Sequence, residues 1–451
     1  MLERLRIQNF KSWQDTGDMA FGSLTGFFGT NSSGKSSILQ FLLMLKQTVE
    51  SSDRSQIIDI GDDKSYVDLG TLQDTVYRSA TTLDFTLSFN APIILFDPSR
   101  MDGPEEIGRQ QIKFLASIEV EQELNYLNSF SYEREGWKIG VQHIATEEKD
   151  SYYTVFNVIM GSDTMEDNPV IISRPIKFYG FPFELFKYFA DTSDIQDLTY
   201  SLERTLSDIY YLGPLRDYPR RTYVWGGGEP DGVGNRGERA ISALLASRNQ
   251  GPTISMGKGD WSRTVEEHVA HWLKELGLIY SFKVQPIAPN RKEYEVRIQR
   301  TAESASVFLT DVGFGVSQIL PVLVLLFYVP EGSTVILEQP EIHLHPAVQA
   351  GLADVFIDAI KRRKLQIILE SHSEHLLQRL QRRMAEELIA PDDIKLYFTS
   401  IEAGKSKLTP LELDEYGNIN NWPEGFFGDT MGEAAAMMKA EMERRMRQQP
   451  S

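Results

Sequence analysis

Cysteine is missing from all 451 residues of the sequence. Its absence excludes a disulfide framework, a thiolate nucleophile and a zinc site built on sulfur, and it suits a reducing compartment. Long hydrophobic runs are also missing. The longest, residues 319–329, falls well short of the roughly 20 apolar residues that a helix needs to cross a bilayer. Residues 1–6 lack the apolar centre of a signal peptide. The chain therefore reads as soluble and cytoplasmic, with no membrane partner. No internal repeat, low-complexity tract or sustained heptad pattern is present, which excludes a long antiparallel coiled coil. Positive charge is in deficit, with 46 Lys and Arg against 64 Asp and Glu and a formal charge of −18. That balance argues against general affinity for nucleic acid. Local basic clusters remain at Lys361, Arg362, Arg363 and Lys364, and at Arg379, Arg382 and Arg383. Runs of this kind are most often solvated helix ends.

Hydrophobic residues make up 41% of the chain, ample for a core, and the length fits two or three domains or one with a large insertion. A strand is predicted over residues 5–10. Residues 83–89 alternate apolar and polar as a half-buried strand does, and 113–120 and 152–158 follow suit. Two prolines and several charges mark 97–108 as a loop. Residues 183–209 read as mostly helical, broken by a turn at 211–216. The glycine-rich stretch 225–237 reads as a mobile or ligand-proximal loop. Residues 265–278 suit an amphipathic helix and 294–299 a strand. A dense block follows over 310–373, with a glycine-rich turn, an apolar helix and buried strands at 334–337 and 366–369. From Glu433 the tail is charged and helix-like, ending in Arg444, Arg445, Met446 and Arg447.

Against this background one motif is complete: Gly29, Thr30, Asn31, Ser32, Ser33, Gly34, Lys35 and Ser36 spell G-x-x-x-x-G-K-S. An apolar strand precedes it and a helical pattern follows, the context the motif requires. Glycines let backbone N–H groups turn inward around phosphate oxygens, and a helix N-terminus adds partial positive charge. Lys35 then reaches the β- and γ-phosphates, and Ser36 offers its hydroxyl to Mg²⁺. The motif predicts a nucleoside triphosphate site.

The far block narrows that prediction. Residues 334–338 form an apolar strand ending in Glu338, followed by Gln339, Pro340, Glu341, Ile342, His343, Leu344, His345 and Pro346. The next strand ends in Glu370, Ser371, His372 and Ser373. Ligands of open α/β sheets bind at such strand ends. Upstream, Asp311, Val312, Gly313, Phe314, Gly315, Val316, Ser317 and Gln318 open a helix and present a second set of N–H groups.

In this order the elements resemble the ABC-type ATPase heads of the SMC, RecF and OLD-like group. The resemblance is closest to its prokaryotic AAA family ATPases, with a Glu-Gln-Pro-Glu-x-His-Leu-His-Pro strand end and a Gly-Phe-Phe near the C-terminus, here Gly425, Phe426 and Phe427. It covers both ends of the chain, and the middle through residues 211–216. It implies an α/β fold, an ABC-type P-loop head with a mixed β and helical lobe inserted between phosphate loop and signature. The implied parts are an N-terminal ATPase segment 1–82, an inserted lobe 83–210 and a connecting second-lobe segment 211–300. A segment 301–400 then carries signature, Walker B strand and switch histidine, and a C-terminal extension spans 401–451.

Residue by residue, the resemblance implies that Gly29 to Ser37 hold ATP and Mg²⁺, with Lys11 approaching the nucleotide. Gly313, Gly315, Ser317 and Gln318 match the signature, and His372 matches the switch histidine at the γ-phosphate. Glu338 and Ser36 fall on metal-binding positions, and Gln73 is a loose match to the Q-loop glutamine. In such heads each site is completed by a partner's signature, so a homodimer or higher even oligomer is implied. One departure stands out: the usual strand end is Asp-Glu, and here it is Glu338 and Gln339. An amide cannot take the proton of an attacking water as a carboxylate can. Glu341 is the candidate replacement, Glu370 the second, and slow turnover is expected. His343, His345, His372 and His375 form a conceivable metal set, but the resemblance already explains two of them. His268, His271 and Glu267 read as an ordinary helix surface.

No toprim or His-Asn-His nuclease pattern is present, so the chain looks like a head without its own effector. The resemblance points to prokaryotic antiphage systems, such as the Septu ATPase subunit, with a separately encoded effector, a nuclease. The alternative is a RecF-like module that clamps DNA in repair. A nuclease hidden within residues 83–210 is a third, weaker option.

Overall fold

The computed structural model describes residues 1–95, 105–120, 125–144, 152–159, 170–188, 193–257, 261–423 and 437. The expected Gly-Phe-Phe at 425–427 and the charged tail lie outside the described residues, Met437 apart. Three short apolar runs decide the architecture. Leu24–Gly29, Thr334–Glu338 and Gln366–Glu370 are buried along almost their whole length, as strands covered on both faces must be. They form the middle of a six-stranded sheet. Its order is Ile209–Leu212, Thr334–Glu338, Gln366–Glu370, Leu24–Gly29, Ile394–Glu402, Lys405–Pro410. The first five strands are parallel and only the last is antiparallel to its neighbour. Glu338, Glu370 and Gly29 therefore end their strands at one edge.

Alternation along these strands splits the core into two. Val335, Leu337, Ile367 and Leu369 face one apolar cluster, shared with the helices Ala240–Gln250, Val265–Glu275, Phe314–Tyr328, Pro346–Arg363 and Glu374–Ala385. Ile336, Ile368, Phe27 and Tyr397 face the other, shared with the helices Lys35–Glu50 and Ser193–Ser207 and a nine-stranded antiparallel sheet. Burying both faces of the central sheet requires both layers, so neither half of the chain completes the fold alone.

The nine-stranded sheet begins with Leu2–Phe10, against which Thr82–Leu95 pairs from Leu2↔Phe89 to Gln8↔Asp84. Leu83, Phe85, Leu87 and Phe89 point inward, as their alternation predicts. The β-rich insertion thus continues the N-terminal sheet across the position 82/83 where a lobe boundary was expected. Within the expected loop 97–108, residues 105–108 belong to the strand Glu105–Val120, and the rest lie outside the described residues. The helical stretch expected over 183–209 resolves into a 3₁₀ turn at Phe183–Lys187 and the helix Ser193–Ser207. Tyr211 and Leu212, expected in a turn, belong to the edge strand Ile209–Leu212, drawn into extended form by pairing with Thr334–Glu338. Among the described residues no helix is long and apolar enough to cross a membrane.

Candidate active site

Between the strand Leu24–Gly29 and the helix Lys35–Glu50 the chain must turn sharply, and two glycines make the turn feasible. Gly29 has φ 135° and Gly34 φ 96°, conformations open to residues without a Cβ. A Cβ on Gly29 would collide with the Thr399 carbonyl, and one on Gly34 would sit 2.7 Å from Ser406 Oγ. The loop is braced from outside the motif. Ser33 Oγ bonds to the Thr30 carbonyl at 2.7 Å and to Thr399 Oγ1 at 2.5 Å, and Trp13 Nε1–H donates to the Gly34 carbonyl at 3.0 Å. The helix that follows has no side-chain cap, so its first N–H groups remain available to an anion. Lys35 folds back, its Nζ donating to the carbonyls of Gly29 (3.1 Å) and Thr30 (2.7 Å); burial holds its ammonium below the usual lysine range.

The loop is one wall of a cleft of about 440 Å³ lined by Ser12, residues 31–37, Gln339, Glu370 and His372. Gln339 sits in the left-handed region at φ 44°, its backbone N–H bonded to the Glu370 carbonyl oxygen at 2.9 Å. Glu370 accepts the Ser36 hydroxyl at 2.7 Å. Partial burial and the charge of Lys35 keep the His372 imidazole below its ordinary range, partly offset by Glu370.

Glu338 stands beside Glu370 across the two parallel strands but does not line the cleft. Its Oε1 accepts the Tyr211 hydroxyl at 2.9 Å. Burial, with the neighbouring Glu370 charge second, lifts its carboxyl to about 7. Arg216 lies below, buried, with its guanidinium pushed down to about 10 by desolvation and one N–H group directed at the Glu338 carbonyl oxygen at 3.5 Å.

Glu341 is placed differently from the expectation for a water-activating base. It is buried behind the cleft, and its Oε1 accepts the backbone N–H of His372 at 2.6 Å; desolvation raises its pKa. The carboxylate that reaches the cleft is Glu370. Gln73 lies exposed in the short helix Leu72–Thr75 and is not among the cleft residues. Lys11 also stands off the cleft, with Nζ donating to Gln40 Oε1 on the phosphate-loop helix at 2.6 Å.

The residues expected to form a signature, Gly313, Gly315, Ser317 and Gln318, do not line this cleft. Gly313 opens the helix Phe314–Tyr328 with no side-chain cap. Gly313 and Phe314 are exposed, Gly315 is half-buried, and Ser317 and Gln318 turn into the core. Phe314 packs on the rings of His343 and Tyr218, with centroids 5.1 and 6.1 Å away. His345 caps the next helix, its Nδ1 accepting the Ala347 N–H at 3.3 Å. Among the described residues no group of three or more His, Asp or Glu stands ready for a metal ion. His268 is a correction. Read as helix surface, it is buried, with Nε2–H donating to Asp358 at 2.7 Å, because the helix Val265–Glu275 packs that face against Phe327 and the helix Pro346–Arg363.

Sequence reasoning did not reach Ser12, Trp13 and Thr399, which carry no motif and are brought in by strand pairing. Tyr211 and Arg216 fell within a stretch noted for resemblance, yet nothing local tied them to Glu338.

Two family models cover most of the chain. One, described as "AAA ATPase domain", matches residues 1–168, and another, described as "AAA domain, putative AbiEii toxin, Type IV TA system", matches residues 193–378. The phosphate-loop motif lies in the first match; residues 313–318, the strand Thr334–Glu338 and His372 lie in the second. The chain carries AAA ATPase domains. A third model, "Protein of unknown function (DUF3696)", matches residues 389–437 of the ATPase. Against the curated proteins no match is found.

Solved structures similar to this ATPase include an SMC head bound to the C-winged helix domain of ScpA, at 13% identity and TM-score 0.44, covering 92% of this chain and 98% of that one. An SMC head domain from Thermotoga maritima matches at 12% and 0.40, covering 91% and 99%. An SMC head with an extended coiled coil, bound to the C-terminal domain of ScpA derived from Pyrococcus furiosus, matches at 12% and 0.41, covering 98% and 99%.

Proposed function

We propose that this ATPase binds ATP with Mg²⁺ in the cleft beside Gly29–Ser37 and that two copies close over it, each lending the other its signature helix. The donor set suits the nucleotide: an uncapped helix N-terminus and Lys35 for the phosphates, with the oxygens of Ser36 and the strand-end carboxylates for a hard cation. Magnesium would supply charge neutralisation across the β- and γ-phosphates.

The observation that carries the dimer is the position of Gly313 and Phe314. Their helix N-terminus is exposed and uncapped, yet no signature residue lines the chain's own cleft. A helix N-terminus that faces away from its own cleft is placed to meet a nucleotide held by another copy. ATP then acts as a ligand of the dimer and shifts the monomer–dimer balance by mass action. Light scattering on the purified protein tests this. We expect monomer without nucleotide and dimer with ATP and Mg²⁺, and a monomer in saturating ATP and Mg²⁺ would refute the composite site.

Turnover is slow in this reading, because Gln339 occupies the place of the water-activating carboxylate and Glu341 is engaged with His372. The long-lived ATP state regulates a separately encoded effector, a nuclease, in a prokaryotic antiphage defence system. The mention of a toxin–antitoxin system in one family description supports a defence setting. Co-expression with the neighbouring genes, followed by a plasmid-cleavage assay of what co-purifies, tests it; a complex without cleavage in any nucleotide state counts against it.

A further inference from the structure

We infer that this ATPase carries a second ligand site, separate from the nucleotide cleft, that takes a small organic anion with a planar ring. The site is a cavity of about 650 Å³ between the end of the helix Lys35–Glu50, the turn around Lys177 and the helix Ser193–Ser207. Small-molecule sites usually measure ~300–1,000 Å³.

The turn closes through Ile176 and Gly180, each of which donates its N–H to the other's carbonyl at 2.8 Å. Lys177 follows Ile176 with φ 54°, a left-handed conformation that is uncommon outside glycine. That conformation drives an ammonium into the interior. Lys177 is buried, and its Nζ donates to the carbonyls of Val49 at 2.9 Å and Ser51 at 2.7 Å. These oxygens close the helix Lys35–Glu50, so Lys177 acts in part as a cap. A cap needs no cavity beside it, however. An ammonium has three donors; the two carbonyls occupy two of them and neutralise none of the charge. Among the described residues no carboxylate forms an ion pair with Lys177. Glu203, Asp59 and Asp53 act on it from further away, and each already accepts from this chain: the Tyr179 hydroxyl, the Gly61 N–H and the Ser55 N–H. A buried charge without a counter-ion is costly, and an anion in the cavity would supply one.

The rest of the lining fits such a ligand. Arg54 is exposed at the cavity, and its guanidinium suits two-point contact with a carboxylate or a phosphate. Lys177 and Arg54 give the walls two cations against the single acid Glu203, in a chain whose formal charge is −18. Ring faces are at hand as well. Phe181 is buried, Phe186 half-buried and Tyr200 55% exposed, all three along the same cavity, and aromatic faces favour a flat partner. Aryl carboxylates and nucleoside phosphates share this chemistry. One element also joins the two sites. The helix Lys35–Glu50 starts in the phosphate loop, and its closing carbonyls, about 24 Å further along, hold Lys177.

The experiment is a fluorescence titration of the full chain with anilinonaphthalene sulfonate, an aromatic anion that brightens away from water, followed by displacement with benzoate and with AMP. We expect one saturable site. Arg54→Glu should weaken it by about tenfold or more, as should Lys177→Met, while Lys177→Arg keeps most of the affinity. Arg54 is exposed, so Arg54→Glu tests the site even where Lys177→Met fails to fold, and an unchanged thermal unfolding midpoint shows that its fold is intact. Lys35→Ala should bind the probe as the unmodified protein does, which separates this cavity from the nucleotide cleft. Displacement by benzoate alone, by AMP alone or by both supports the site and says which anion it prefers. Displacement by neither overturns the inference, as does the lack of saturable binding. Affinity within about twofold of the unmodified protein in Arg54→Glu also overturns it.

Discussion

At the scale of single residues, the chemistry of the cleft turns on an amide standing where a carboxylate is expected. Gln339 lines the cleft in a left-handed conformation, with its backbone N–H tied to Glu370. General-base help from a well-placed group contributes about 10²–10⁴-fold to such a step. Gln339→Glu should therefore raise ATP turnover by about tenfold or more, measured as phosphate release at saturating ATP. Unchanged or lower turnover would mean that a missing base at this position does not limit the reaction. Glu341 shows how proximity in sequence misleads. Two residues from Gln339, it nonetheless turns into the core to hold the His372 backbone, and the carboxylate that arrives in the cleft, Glu370, comes from the separate strand Gln366–Glu370.

At the scale of elements, the helix Phe314–Tyr328 is the piece to perturb. A residue at its N-cap meets open space, since a Cβ at Gly313 would have nothing within 4 Å. An acidic side chain near a helix N-terminus is tolerated or mildly stabilising. Gly313→Glu should accordingly fold normally and bind ATP in its own cleft, yet repel the γ-phosphate of a second copy. Light scattering should show the variant remaining monomeric with ATP and Mg²⁺, and a dimer as stable as that of the unmodified protein would remove this helix from the composite site. Local pattern made the helix legible, through its glycine-rich opening and apolar body. That its N-terminus stands apart from its own phosphate loop depends on where the helix layer packs.

At the scale of the whole molecule, the basic clusters that hinted at DNA are largely engaged within the chain. Arg362 pairs with Asp358, Lys364 with Glu331, Arg379 and Arg383 with Asp354, and Arg382 with Glu386, while buried Arg363 donates to the Val329 carbonyl. This weighs against the DNA-clamping alternative and for a structural role. The Asp358 network joins the helices Val265–Glu275 and Pro346–Arg363. Burial alone would raise its pKa, but hydrogen bonds from His268, Trp272 and Arg362 more than offset this and leave the carboxyl below its usual value. A depressed carboxylate stabilises the fold fully above its unfolded value and loses that contribution as pH falls through the folded one. Thermal unfolding should therefore show a loss of stability below about pH 4. Asp358→Ala should flatten part of that dependence and cost about 3 kcal/mol at neutral pH. An unaltered acid limb would show that this network does not contribute to it.

What the sequence determined by itself is local. The phosphate loop needs glycines at fixed spacing and a helix after it, and strands buried on both faces need unbroken apolar runs; both are written in adjacent residues. From these the P-loop ATPase character and the α/β class follow. The tertiary structure alone decided which side chains share the cleft. Strand order sets Glu370 between Ser36 and Gln339, brings Tyr211 to Glu338, and seals His268 against Asp358, each a contact between residues far apart in the chain. Such contacts depend on how layers pack around a common core, a property that no window of sequence contains.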